Sequence, residues 1–236
     1  MFQSDPFTLI VLFVGLSLLP FVAMVATSYL KIVVVMSLIR NALGIQSIPP
    51  NMVVNALAMI LTFYIMAPVA SESWQIIQEQ AKSHKAQAAA QSVPAGGAVQ
   101  PASILGSSTA EWAAAAEPFR KFLSDRTSPR ERAFFVNTAE RLWAKEDGEP
   151  AKVDSESFCI LIPSFCVSEL TKAFQIGFLV YLPFIAIDII VSNILLAMGM
   201  MMVSPVTISL PFKLLLFVMV NGWTLLIQGL VRGYVI

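Results

Sequence analysis

Residues 158–203 read FCILIPSFCVSELTKAFQIGFLVYLPFIAIDIIVSNILLAMGMMMV, 46 positions of mostly apolar sequence whose only charges are Glu169, Lys172 and Asp188. As one straight helix at ~1.5 Å per residue this stretch would extend about 69 Å, more than twice a bilayer core of about 30 Å. It must therefore bend, divide or leave the membrane plane. Pro163, the polar SELTK at 168–172, Gly177 and Pro183 are the candidate breaks. The expected fold is an all-α membrane protein.

Composition agrees with that reading. Of 236 residues, 57% are hydrophobic and 13% charged, with a mean hydropathy of +0.75, whereas soluble domains carry about 25% charged residues. The 15 basic and 15 acidic side chains cancel, so no nucleic-acid partner is indicated. Their placement is uneven, because 22 of these 30 charges fall between Ser71 and Ser157.

Three further hydrophobic blocks flank the first. Phe7 to Tyr29 is 23 residues without charge, and Met52 to Ala70 is another run of 19 after the Pro49-Pro50 stop. Beyond an expected turn at 204–213, Leu214 to Ile236 forms the last run, interrupted at Asn221-Gly222 and carrying Arg232 near its end. The connector between the first two blocks holds Lys31 and Arg40 and no acid. By the positive-inside rule it faces the cytoplasm, which places both termini and residues 71–157 outside. The start, MFQSDPF, has Asp5 and no Lys or Arg before its apolar run, which predicts a retained membrane segment instead of a cleaved leader.

Three regions result: residues 1–70 with the amino-terminal hydrophobic helices, an extracytoplasmic region at 71–157, and the hydrophobic hairpins of 158–236. Within the middle region, His84 to Thr109 is rich in Ala, Gln, Ser, Gly and Pro and reads as a flexible linker. Pro118 to Lys145 differs, since Phe119, Phe122, Leu123, Phe134, Phe135, Leu142 and Trp143 recur at helical spacings around a Ser128-Pro129 helix start. Two short amphipathic helices are expected there, either as a packed unit or as a solvated spacer. Cys159 and Cys166, seven apart on a helix and so about 10 Å from each other, are too distant for a disulfide and read as packing residues.

The sequence lacks an enzyme's constellation. His84 is the single histidine, so no multi-histidine metal site or histidine-based triad is expected, and no phosphate-binding glycine motif occurs. Chemistry is concentrated instead in isolated charges. Glu169, Lys172, Asp188 and Lys213 lie in hydrophobic sequence, where an ionisable group needs a partner or a watery cavity. Either they pair within or between subunits, or Asp188 is a proton-relay group. Glu169 and Lys172, three apart, can pair with each other.

The methionines Met198, Met200, Met201 and Met202 crowd against Ser204-Pro205. Met198, Met201 and Met202 fall at i, i+3 and i+4 and would form one buried stripe on a continuing helix. At a turn, the same unbranched thioethers would form a compliant seal around something of variable shape.

Taken together, SELTKAFQIGFLVYLPFIAIDIIVSNIL at 168–195, LAMGMMMVSPVTISLPFKLLLF at 196–217, NGW at 221–223 and TSYLKIVVVMSLIRNALGIQSIPPN at 27–51 resemble the FliP/SctR family of type III secretion export-gate proteins. The lack of a basic leader is more similar to the injectisome branch. The resemblance implies a non-enzymatic pore subunit without cofactors in the bacterial inner membrane, its four hydrophobic blocks packed on each other as bent helical hairpins. It further implies an oligomer of five copies, assembled with FliQ/SctS-like and FliR/SctT-like subunits, that projects to the periplasmic side and conducts unfolded secretion substrates. It assigns Met200, Met201 and Met202, with Met198 beside them, to a gasket in the closed pore. Glu169 matches a carboxylate of subunit association, and Lys213 belongs to the family's PFK segment. The rival reading is a secondary transporter or ion channel of small solutes in which Asp188 is the coupling residue.

Overall fold

The computed structural model describes residues 6–45, 49–90, 113–144 and 153–234. These residues contain helices and no strand. In chain order the helices are α1 (Pro6–Val25), α2 (Tyr29–Ala42), α3 (Asn51–Ala90), α4 (Glu117–Arg126), α5 (Pro129–Leu142), α6 (Phe158–Ala197), α7 (Pro205–Met219) and α8 (Gly222–Arg232). The chain divides into two compact units, one formed by Met1–Ile65 with Cys166–Ile236 and the other by Met66–Phe165.

Two helices, Asn51–Ser83 of α3 and Phe158–Ala197, are long and apolar enough to cross a membrane. Two bent pairs reach the same length if each counts as one span: α1 with α2 at 56°, and α7 with α8 at 59°. The first expected helix, Phe7 to Tyr29, therefore stops at Val25. Thr27 and Ser28 explain the break, since short hydroxyl side chains compete with helical bonding; Thr27 Oγ1 accepts from the Tyr29 N–H at 3.4 Å. The second run extends far past Ala70, because no glycine or proline separates Ser71 from Ala90. Seven residues of the expected linker, 84–90, thus have helical backbone, and its remainder, 91–109, lies outside the described residues.

The long apolar block does not divide. Helix α6 runs for 40 residues through Pro163, SELTK, Gly177 and Pro183, and ends only where glycine permits a left-handed residue. The expected turn at 204–213 also moves: α7 begins at Pro205, where the missing N–H is one a helix start leaves unpaired anyway and the fixed φ suits the first turn. The turn itself occupies 198–204.

In the first unit the core forms around α2. Ile32, Val35, Met36 and Ile39 repeat at i, i+3, i+4 and i+7, and all are buried. They join Val54 and Ala58 of α3, Ala173 and Phe184 of α6, Phe217 of α7, and Leu226 and Leu230 of α8 in one cluster. Gly177 permits the close approach of α6 to α2, because a Cβ there would lie 3.2 Å from Leu38 Cβ and closer still to its Cδ1. The outer faces stay apolar, with Phe13, Phe21, Ile60, Phe63, Phe178 and Leu179 all exposed. An apolar surface of this extent calls for lipid or protein against it.

The second unit contains the two amphipathic helices. Ser128 is the N-cap and Pro129 the first residue of α5. Phe122 and Leu123 of α4 are buried, and Phe122 packs against Phe165 with ring centroids 5.9 Å apart. Phe119 meets Phe158 at 6.3 Å. On α5, by contrast, Ala139 is the buried residue, while Phe134, Leu142 and Trp143 are exposed. Cys159 is exposed, contrary to a packing role, and Cys166 is partly buried; both are free thiols. Their helical spacing keeps the sulfurs apart.

Candidate functional site

The methionine segment is a short turn with a defined cap at each end. After Ala197, Gly199 adopts φ +73°, its N–H bonds to Leu196 O at 3.0 Å, and the Met200 N–H bonds to Leu195 O at 2.9 Å. That pair of reversed bonds is the Schellman arrangement, which satisfies the last carbonyls of α6 and needs glycine at its left-handed position. At the other end Ser204 has extended backbone and Pro205 starts α7. Between these caps Met198 is 61% exposed, Met201 82%, and Met202 fully exposed; Met200 is exposed as well. A buried helical stripe of Met198, Met201 and Met202 would need α6 to continue through 202, and it does not.

Two ionic clusters lie in the same unit. In the first, Lys213 Nζ on α7 approaches Asp188 Oδ2 on α6 at 2.6 Å and donates to Ala42 O, in the last turn of α2, at 3.3 Å. Ser209 Oγ donates to Asp188 Oδ1 at 2.6 Å. Lys213 and Ser209 are buried and Asp188 is partly exposed. One ammonium thus ties three helices together, and at the carboxyl end of α2 it meets the negative pole of the helix dipole. Gly44, at φ +78°, ends α2 by the same device as Gly199, and a Cβ there would lie 3.9 Å from Val206 of α7.

The second cluster surrounds Glu169, which is 1% exposed. Its Oε2 meets Lys31 Nζ at 3.0 Å and accepts the Tyr234 hydroxyl; its Oε1 meets Lys172 Nζ at 3.0 Å. Lys31 also stands 3.8 Å from the centroid of the Tyr234 ring, a cation–π contact. The i, i+3 pairing of Glu169 and Lys172 is formed. Lys31, read from sequence as a loop charge facing the cytoplasm, is instead buried on α2. Arg40 is also helical, with Nη1 donating to Pro49 O at 3.4 Å and to Asn51 Oδ1. The two charges behind the orientation argument therefore belong to structured contacts and not to an open loop.

Of the eight residues singled out in the sequence, the structure brings Glu169 together with Lys172, and Asp188 with Lys213, and places the four methionines on one turn. Lys31, Tyr234, Ser209 and the Ala42 carbonyl were missed. Lys31 carried a signal, as a lone cation in an apolar run; a tyrosine near the end of the chain carries none. Among the described residues no group of three or more His, Cys, Asp or Glu side chains could hold a metal ion.

Residues 12–230 match the FliP family. The chain is 46% identical over 230 residues to the Yop proteins translocation protein R of Yersinia pestis, covering 98% of this chain and 97% of that one. It is 45% identical over 227 residues to the hypersensitivity response secretion protein HrcR of Ralstonia nicotianae, with 96% of each covered. With the virulence protein YscR of Salmonella typhimurium it shares 43% identity over 237 aligned positions, 98% of each chain. The match spans Lys31, Glu169 and Lys172, Asp188, Ser209 and Lys213, and the methionine turn, and on it this chain belongs to the FliP family.

Proposed function

We propose that this protein is a membrane subunit of a type III secretion export apparatus, of the injectisome branch, and that copies of it surround a path for unfolded polypeptide. The relatives' names concern secretion and translocation, and the apolar helices fit a membrane protein. The assembly would lie in the bacterial inner membrane and project to the periplasmic side, with five copies joined by FliQ/SctS-like and FliR/SctT-like subunits. The observation carrying the gate reading is the methionine turn, where four thioether side chains extend into open space from a loop fixed at both ends. In a ring of subunits, such side chains close on one another by rotamer changes and yield to a passing chain. Substrate would move without covalent chemistry by this subunit.

The transporter reading of Asp188 is less favoured by the geometry, since both of its carboxylate oxygens have partners and a coupling group must release its proton to a path. The same cluster suits a different task, fixing α7 against α6 behind the turn.

Replacing Met200, Met201 and Met202 with Ala in the co-expressed complex is expected to leave its yield unchanged and raise the resting conductance of membranes containing it. Core packing predicts the opposite, a loss of roughly 2–5 kcal/mol per buried Met and lower yield without conductance. That second outcome overturns the gate.

A further inference from the structure

The first unit carries an apolar cavity of about 540 Å³ between α2, α6, α7 and α8, open to the surface at Val220 and Leu225, which are both exposed. Its walls include Ile39, Ile176, Pro183, Leu216, Phe217 and Gly229, and no lining side chain carries a polar atom. A polar ligand entering it would give up its water with nothing in return. A hydrocarbon chain has no such cost. The size falls in the range of about 300–1,000 Å³ typical of small-molecule sites, enough for an acyl chain.

A charge follows the lining residue Gly229 one helical turn later on α8. Arg232 is exposed, and it lies three residues beyond Gly229, on the same side of α8. It has no hydrogen-bond or ion-pair partner among the described residues. A guanidinium fork matches phosphate oxygens in pairs. We infer that the cavity holds one acyl chain of an anionic phospholipid whose phosphate is bound by Arg232. Nothing in this assignment depends on the secretion pore.

Gly229 supplies the test, because it lines the cavity and a Cβ built there meets nothing within 4 Å, so a side chain can start from this position without a clash at its first atom. The reporter is Trp223, stacked edge-on against the cavity-lining Phe217 with centroids 5.4 Å apart. In the full-length chain with Trp74, Trp112 and Trp143 changed to Phe, titrating dibrominated phosphatidylglycerol into the detergent solution should quench Trp223 fluorescence saturably. Gly229→Leu should remove the saturable component while helical circular dichroism is retained. Arg232→Gln should weaken the binding about fivefold, the effect of one basic contact to an anionic lipid surface, and leave brominated phosphatidylcholine unaffected. Quenching that never saturates, or is equal for both lipids and for Arg232→Gln, overturns the proposal even if Gly229→Leu fails to fold. So does a Gly229→Leu variant that still binds lipid but no longer assembles, which would make the occupant a protein segment.

Discussion

Removing the carboxylate of Glu169 should be costly, and the cost should fall in a fixed order across its partners. Glu169 is 1% exposed and Lys31 has a side-chain exposure of 6%, so Glu169→Ala takes from a buried ammonium the carboxylate that stands 3.0 Å from it. A broken buried pair costs about 3–5 kcal/mol. Lys31→Met is milder, because Glu169 keeps Lys172 and the Tyr234 hydroxyl; about 1–3 kcal/mol is expected, the cost of one charged hydrogen bond in a network that still satisfies the acid. Lys172 has a 42% exposed side chain, and Lys172→Met should cost no more than about 1 kcal/mol, the range of solvated pairs. Denaturant unfolding of the purified chain in detergent, followed by circular dichroism, measures all three, with native gels recording assembly in parallel. If Lys172→Met costs as much as Lys31→Met, burial does not set the order and the reasoning fails. If Glu169→Ala leaves the chain as stable as before and abolishes only the oligomer, the working partner of this acid lies on another subunit.

Two glycines make further predictions. Gly199→Val should destabilise by about 1–2 kcal/mol, because a β-branched residue at φ +73° is strained at the left-handed cap, and in the assembled complex it should raise resting conductance by misplacing the methionines; thermal unfolding and conductance both unchanged would count against the cap. Gly177→Ala gains about 1 kcal/mol of helix propensity but forces Leu38 aside, at about 1–3 kcal/mol, and Leu38→Ala in the same chain should recover the difference in a double-mutant unfolding cycle. Without recovery, the α2–α6 approach at this position is not what limits the packing.

Periodicity and local stops were readable where a single residue type has one dominant effect. Ser128-Pro129 marked the start of α5, Asn221-Gly222 marked the break between α7 and α8, and the i, i+3 spacing of Glu169 and Lys172 implied their contact. Proline inside apolar sequence misled, because Pro163 and Pro183 forfeit one backbone bond each and a long helix retains the rest. The 204–213 segment misled for a related reason: Ser204-Pro205 suggested a turn, yet Pro205 opens α7, and Pro211 is carried within that helix.

Hydrophobic length and the run of methionines are properties of the linear chain, so the apolar helical class and the position of the candidate gate could be read before any fold was seen. Partner choice for the isolated charges could not. Lys31 and Glu169 are separated by 138 positions and Lys213 and Ala42 by 171, and no local pattern carries information across such distances. Their pairing required α2 to be buried at the centre of the unit, which brings its Lys31 to Glu169 and the carbonyl at its far end to Lys213. The exposure of the methionines was decided in the same way: α6 ends at Ala197 with Gly199 as its cap, and a bend with its carbonyls already satisfied leaves their side chains exposed among the described residues.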